Sequence, residues 1–184
     1  MMRRRSSAFL VAAALLALCY LSAMVIVGNL PEQRQLVKFE ARGVMQTPPD
    51  QISRIELIQA GRREFLDRDP KATRWSKADG TIMSANAAAH LTMAVQMMNT
   101  SGPVKEIPDR DLRGIDRGPF GLDQPIVEAA LYQGDAAVIR MRFGNVNPEG
   151  YLQYMSVDGR PQVFLMSRFV GEEWKKAAES VFGH

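Results

Sequence analysis

The feature that most restricts this chain is an uncharged run of 21 residues, Ala8 to Gly28, set behind Arg3, Arg4 and Arg5. As a helix rising about 1.5 Å per residue, such a run spans roughly 31 Å, the thickness of a bilayer's hydrocarbon core. Glu32, Arg34 and Lys38 follow it with mixed sign. The positive-inside rule therefore places residues 1–7 in the cytoplasm as a short tip and carries the rest of the chain across the membrane. The expectation is a single-pass signal-anchor at 8–28, in contact with the lipid bilayer from Ala8 to Gly28. A cleaved signal peptide competes, since a basic tip before an apolar stretch is also its signature. Against it, Leu21-Ser22-Ala23 is a poor cleavage site with a bulky first residue, and cutting there would leave Met24 to Val27 as an apolar terminus.

The same tip accounts for the charge of the chain. The net charge is +3 and the isoelectric point near 9.2. Once the three leading arginines are set aside, 20 basic and 20 acidic residues remain. No stripe of Lys and Arg interleaved with aromatics is left to track a phosphate backbone, so nucleic acid is set aside as a partner. Cys19 is the single cysteine, which rules out an intramolecular disulfide and a cysteine zinc cluster. It sits inside the apolar run between Leu18 and Tyr20, not in the small-residue setting that lipid attachment requires.

Beyond the anchor, residues 29–50 hold Pro31, Pro48 and Pro49 with scattered charges and are expected as a stalk. Residues 51–184 then give the pattern of an exported α+β domain. Ile55 and Leu57 alternate with Arg54 and Glu56, the mark of a strand with one wet face. Ala60-Gly61 turns it into a partner at 62–67, and a third strand carries Trp75. Ser84 is placed to cap a helix running to Thr100, with Ala87, Leu91, Ala94, Val95 and Met98 on one face. A brief extended piece at 104–107 follows. After Pro125 the pattern restarts: Val127, Ala129 and Leu131, then a turn at Gly134-Asp135, then Ala137 to Phe143. Residues 144–150 read as a loop, 151–157 and 162–167 as a second hairpin around Asp158-Gly159. Ser167 is expected to cap a last helix with Val170, Trp174, Ala177, Ala178 and Val181 buried and Glu172 paired to Lys176 outside. Trp75, Leu91, Val95, Met98 and Trp174 are the expected core. Residues 51–118 and 119–184 thus look like two similar strand-helix units.

The joint between them is Pro119-Phe120-Gly121-Leu122-Asp123-Gln124-Pro125. Here Gly121 is free to take a positive φ, Pro125 fixes the way into the next strand, and the Asp123 carboxylate is suited to accepting backbone N–H bonds. Phe120 and Leu122 are expected to plug the core between the halves. A structural role is thereby assigned to Phe120, Gly121, Leu122, Asp123 and Pro125.

Groups for chemistry are sparse. His90 and His184 are the only histidines, and neither has the i,i+4 or i,i+3 partner of a metal site. Nucleophile elbow, phosphate loop and dinucleotide fingerprint are all missing from the sequence. Met83, Met93, Met97 and Met98 read as packing residues, not as copper ligands. Asp109, Asp111 and Asp116 are offset by Arg110, Arg113 and Arg117 and lack the spacing of a calcium loop. No catalytic residue, metal or cofactor is expected.

From Trp75 to the end, the chain resembles the membrane-anchored bacterial domain-of-unknown-function family 4340, found in auxiliary proteins of gliding-motility-type ABC exporters. Four features carry the resemblance: Arg74-Trp75-Ser76 closing a strand, the Phe120-Gly121-Leu122-Asp123-Gln124-Pro125 turn, Phe143-Gly144-Asn145 after an amphipathic strand, and Tyr151 with the hairpin from Gly159 to Val163. Larger members carry longer or repeated copies, whereas this chain has one short one. The resemblance implies a bacterial inner-membrane protein, its N-terminus cytoplasmic and its bulk periplasmic or extracytoplasmic. The implied role is a non-enzymatic auxiliary or assembly partner in an envelope or ABC-exporter-type complex, with exporter subunits among its partners. A periplasmic binding module for a small apolar or polymeric ligand is the alternative.

Overall fold

The computed structural model describes residues 3–26, 42–69 and 74–183. Two compact units form, Met1–Glu40 and Ala41–His184. In the first, α1 is a helix of 24 residues, Arg3–Ile26. Its Val11, Leu15, Leu16, Leu18, Tyr20 and Leu21 are all more than half exposed. Among the described residues no helix is long and apolar enough to cross a membrane. The side chains of α1 are described only from 11 to 24, so the expected span at 8–28 lies in part outside the described residues, as does most of the expected stalk.

The second unit contains β1 (Arg54–Gln59), β2 (Arg62–Asp69), β3 (Arg74–Lys77), α2 (Ala85–Thr100), β4 (Lys105–Ile107), β5 (Val127–Gln133), β6 (Ala136–Val146), β7 (Leu152–Val157), β8 (Arg160–Ser167) and α3 (Arg168–Phe182). The strands make one antiparallel sheet in the order β3-β2-β1-β5-β6-β7-β8-β4. The class is α+β. Two meanders, β1 to β3 and β5 to β8, run outward in opposite directions from the central pair β1·β5, and each is followed by its helix. β4 breaks the correspondence by crossing to the far edge, beside β8.

Alternation along the strands decides what the helices cover. Ile55, Leu57, Leu66, Val127, Leu131, Met141, Phe143, Met155, Phe164 and Met166 face α2 and α3 in one continuous core with Trp75, Leu91, Val95, Met98 and Trp174. Burial of each such side chain contributes about 1.5–3 kcal/mol relative to exposure. Across the top of this core His90 Nδ1 lies 2.6 Å from Glu173 Oε1, tying α2 to α3. Ser84 Oγ accepts from the Ala87 N–H at the start of α2. Ser167, by contrast, stands at the N-cap of α3 without a side-chain hydrogen bond. Glu172 pairs with Arg168 at 2.5 Å rather than with Lys176, and Lys175 with Glu179; an i,i+4 neighbour exists on both sides of Glu172, and the guanidinium takes it.

Among the boundaries that differ from the sequence reading, three change how the unit closes. The folded unit reaches back to residue 42: Gly43 and Met45 donate backbone bonds to Asn99 and Met98, and Val44 and Met45 are buried. β6 continues through Gly144, Asn145 and Val146, where polar residues and a glycine had implied a loop. β8 begins at Arg160, directly after the hairpin turn. In the last two cases cross-strand pairing overrides weak local propensity.

The edges of the sheet are short and partly covered: β3 runs beside only Leu66–Asp69 of β2, which leaves Arg62–Phe65 without an outer strand among the described residues. Outside β3 the chain folds back at 81–83, with Lys77 N–H bonded to Thr81 O and Met83 N–H to Trp75 O, both at 2.9 Å. At the other edge β4 is three residues long, opens on the exposed charges of Lys105 and Glu106 and stands between Pro103 and Pro108.

Candidate functional site: the uncovered sheet face

The face of the sheet turned away from the helices has two zones. Over β2, β1, β5 and β6 it is bare, and its residues are charged because strand alternation sends Arg54, Glu56, Arg63, Glu128, Arg140 and Arg142 to that side. Glu56 lies at the centre with only 5% of its surface exposed. Tyr132 donates its hydroxyl to Glu56 Oε2 at 2.7 Å. Arg140 reaches the same oxygen at 3.3 Å and donates to the Tyr132 hydroxyl at 2.7 Å, while Arg63 approaches Oε1 at 3.3 Å. These bonds replace the water that burial removes from the carboxylate, which would otherwise cost several kcal/mol. Burial together with the bond to Glu56 pushes the Tyr132 phenol above its usual range, so Tyr132 is a fixed donor at neutral pH and not a nucleophile. Next to this hub Arg142 bridges Glu128 at 3.2 Å and Asp158 at 3.4 Å. Arg54 pairs with Asp67 at 2.6 Å, which raises the guanidinium pKa.

Between these groups, over the small side chain of Ala130, lies an open hollow of about 180 Å³ rimmed by Arg63, Arg140, Arg142 and Glu128. A second open depression of about 340 Å³ shares Arg142 and Asp158 with it and continues past Arg117 and Arg160 toward the β7–β8 hairpin. A third, of about 220 Å³, opens near Trp75, Thr92 and Gln96, where the Trp75 indole N–H is already held by Thr92 Oγ1 at 3.1 Å.

Over β7 and β8 the same face is covered. Phe120 stacks on Tyr154 with ring centroids 4.5 Å apart and joins Leu112 and Val163 in a second, small core, with Ile107 and Leu122 packed against it. Phe120 and Leu122 therefore do not plug the joint between the halves; they seal the outer face of the second meander. The reason is the path of the turn. After the 3-10 turn Gly118–Phe120, Gly121 takes φ +68 and the chain passes against β6, where Asn145 Nδ2 donates to Pro119 O at 3.0 Å. A Cβ on Gly121 would come within 2.6 Å of the Asn145 side chain, and one on Gly144 would run into the Phe120 carbonyl oxygen. The Pro119–Pro125 turn and the Phe143-Gly144-Asn145 stretch are one interlocked unit. Pro125 is half-buried at its exit, whereas Asp123 is exposed and its carboxylate accepts no hydrogen bond from another described residue, contrary to the capping role read from the sequence.

The sequence pattern marks Arg54, Glu56, Arg140 and Arg142 as outward-facing. It misses their assembly, because Glu56 meets Tyr132 and Arg140 from positions 76 and 84 residues away. The signal that was available is the charged partner at matching strand positions, Arg142 opposite Glu128 and Arg54 opposite Asp67. No family model, curated protein sequence or solved structure matches the chain.

Proposed function

We propose that this is a non-enzymatic, single-pass inner-membrane protein whose exported domain presents its uncovered sheet face to a partner protein of the envelope, with ABC-exporter-type subunits as the candidate partners. The supporting observation is the buried, fully partnered Glu56 on a face that neither α2 nor α3 covers. A face that only meets water gains little from such a network, since exposed ion pairs contribute about 0–1 kcal/mol. A face that is to be covered gains more, because charges already paired leave no unpaired ion when a partner excludes the solvent. The exposed apolar side chains of α1 support the anchor, and the two outward-running meanders, each with its helix, support two similar units. The ligand-module alternative draws less support, because none of the depressions named above is enclosed.

The test is a photo-cross-linking amino acid placed at Phe65, which is 37% exposed on the bare zone, with Met93 on the outside of α2 as control. In native membranes Phe65 is expected to cross-link to an envelope protein and Met93 is not. Cross-links from Met93 alone would overturn the reading, as would a reporter fused after His184 that is active only in the cytoplasm.

A further inference from the structure

The bare zone is layered. Of the pairs that cross it, Arg63 has 61% of its side chain exposed above a Glu56 that has 7%, Arg140 has 46% above the same carboxylate, and Arg142 has 43% above Glu128 at 32%, whereas Arg142 with Asp158 and Arg54 with Asp67 stand level. Over Glu56 and Glu128, at the middle of the zone, the carboxylates lie underneath and the guanidinium groups on top. What a partner meets first is a layer of N–H donors, and Arg117 and Arg160 continue it along the second depression. Arg160 is held only by its neighbours' neutral groups, donating to Val44 O at 3.3 Å and lying over the Phe164 ring.

We infer that this arginine layer receives an acidic, extended segment of the partner protein, with single Asp or Glu side chains entering the two hollows. The inference rests on the interface reading above. Guanidinium groups bind carboxylates in a planar two-bond geometry that lysine cannot match. Arg63 and Arg142, in register on β2 and β6 with two strands between them, stand on opposite walls of the smaller hollow and retain free N–H groups. Glu128 and Asp158 in the walls of the smaller hollow, and Asp158 and Asp123 in those of the larger, discriminate between anions. They tolerate one carboxylate that threads between them and repel a dense polyphosphate, so an acidic peptide fits where a nucleic-acid strand does not.

The test uses the full-length chain in neutral detergent and three labelled probes: a short peptide rich in Asp and Glu, its Asn and Gln counterpart, and single-stranded DNA of equal charge. Fluorescence anisotropy is expected to report binding of the acidic peptide alone, lost at high salt and weakened about tenfold or more by Arg63→Gln and by Arg142→Gln. Circular dichroism checks that each variant is folded. Should Arg142→Gln unfold, Arg63→Gln, at the more exposed position, decides. Equal binding of the amide peptide, equal or tighter binding of DNA, no binding, or binding untouched by both substitutions would each overturn the inference. If Phe65 cross-links to a partner while the acidic peptide is ignored, the interface stands and the acidic occupant falls; if the peptide binds and Phe65 cross-links nothing, the partner reading fails instead.

Discussion

The two zones of the uncovered sheet face begin from the same alternation and end differently. Over β7 and β8 the chain supplies its own cover, and Phe120 on Tyr154 makes a dry patch. Over β2, β1, β5 and β6 no described residue of the second unit arrives, and most outward positions hold ionic groups knitted around Glu56. The contrast teaches that cover and chemistry are matched zone by zone. Tyr154 and Val163 stand outward where the Pro119–Pro125 turn returns, and where it does not, charges predominate, with Ile58 and Phe65 among them.

Perturbations of the turn are expected to have the largest effects. Gly144→Val, which forces a side chain against the Phe120 carbonyl, should destabilise the domain by about 3–5 kcal/mol in urea unfolding; a loss near zero would show that the interlock of the turn with β6 is loose. Phe120→Ala removes the centre of the small core and should cost about 3 kcal/mol. On the bare zone Glu56→Ala leaves Arg140 and Tyr132 without their shared acceptor and should cost about 2 kcal/mol, since the arginines it strands keep access to water. The Tyr132 phenol gives a pH signature. Its folded pKa is raised, so the folded state holds its proton where the unfolded chain has begun to lose it; stability is full below about pH 10, the unfolded value, and falls as the pH climbs above it. Tyr132→Phe should flatten that fall in chemical unfolding measured from pH 9 upward. The smallest effect belongs to the exposed pair: Arg54→Ala should change stability by less than about 1 kcal/mol, and a larger loss would mean that the bare zone holds the fold together as the covered one does.

Much of the covered core could be read from the chain because it depends on short-range periods. Trp75, Leu91, Val95, Met98 and Trp174 lie where helix and strand spacing sends them, and the Ala60-Gly61 and Gly134-Asp135 turns are local chemistry. What escaped depends on distant encounters. The site of Phe120 needs Tyr154 and Val163, and the hub at Glu56 needs the register of β1 against β5 and of β5 against β6. The extension of β6 through Gly144 and Asn145 could not be read locally either, since its cause is the turn that docks on it and the β7 strand beside it. The acceptor role expected for Asp123 failed for a related reason: the N–H groups of the turn are taken by backbone carbonyls, Phe120 by Arg117, Gly121 by Gly118 and Ile126 by Phe143 on the neighbouring strand.

The guarded edges of the sheet carry a consequence for assembly. With 81–83 folded over β3, and β4 cut to three residues between two prolines that offer no N–H, a further strand finds only short stretches of ladder to join, such as Arg62–Phe65 of β2. Copies of this domain brought close together thereby have little backbone through which to polymerise. Crowding, which endangers an open-edged sheet, leaves this one available for encounters made broadside by its side chains.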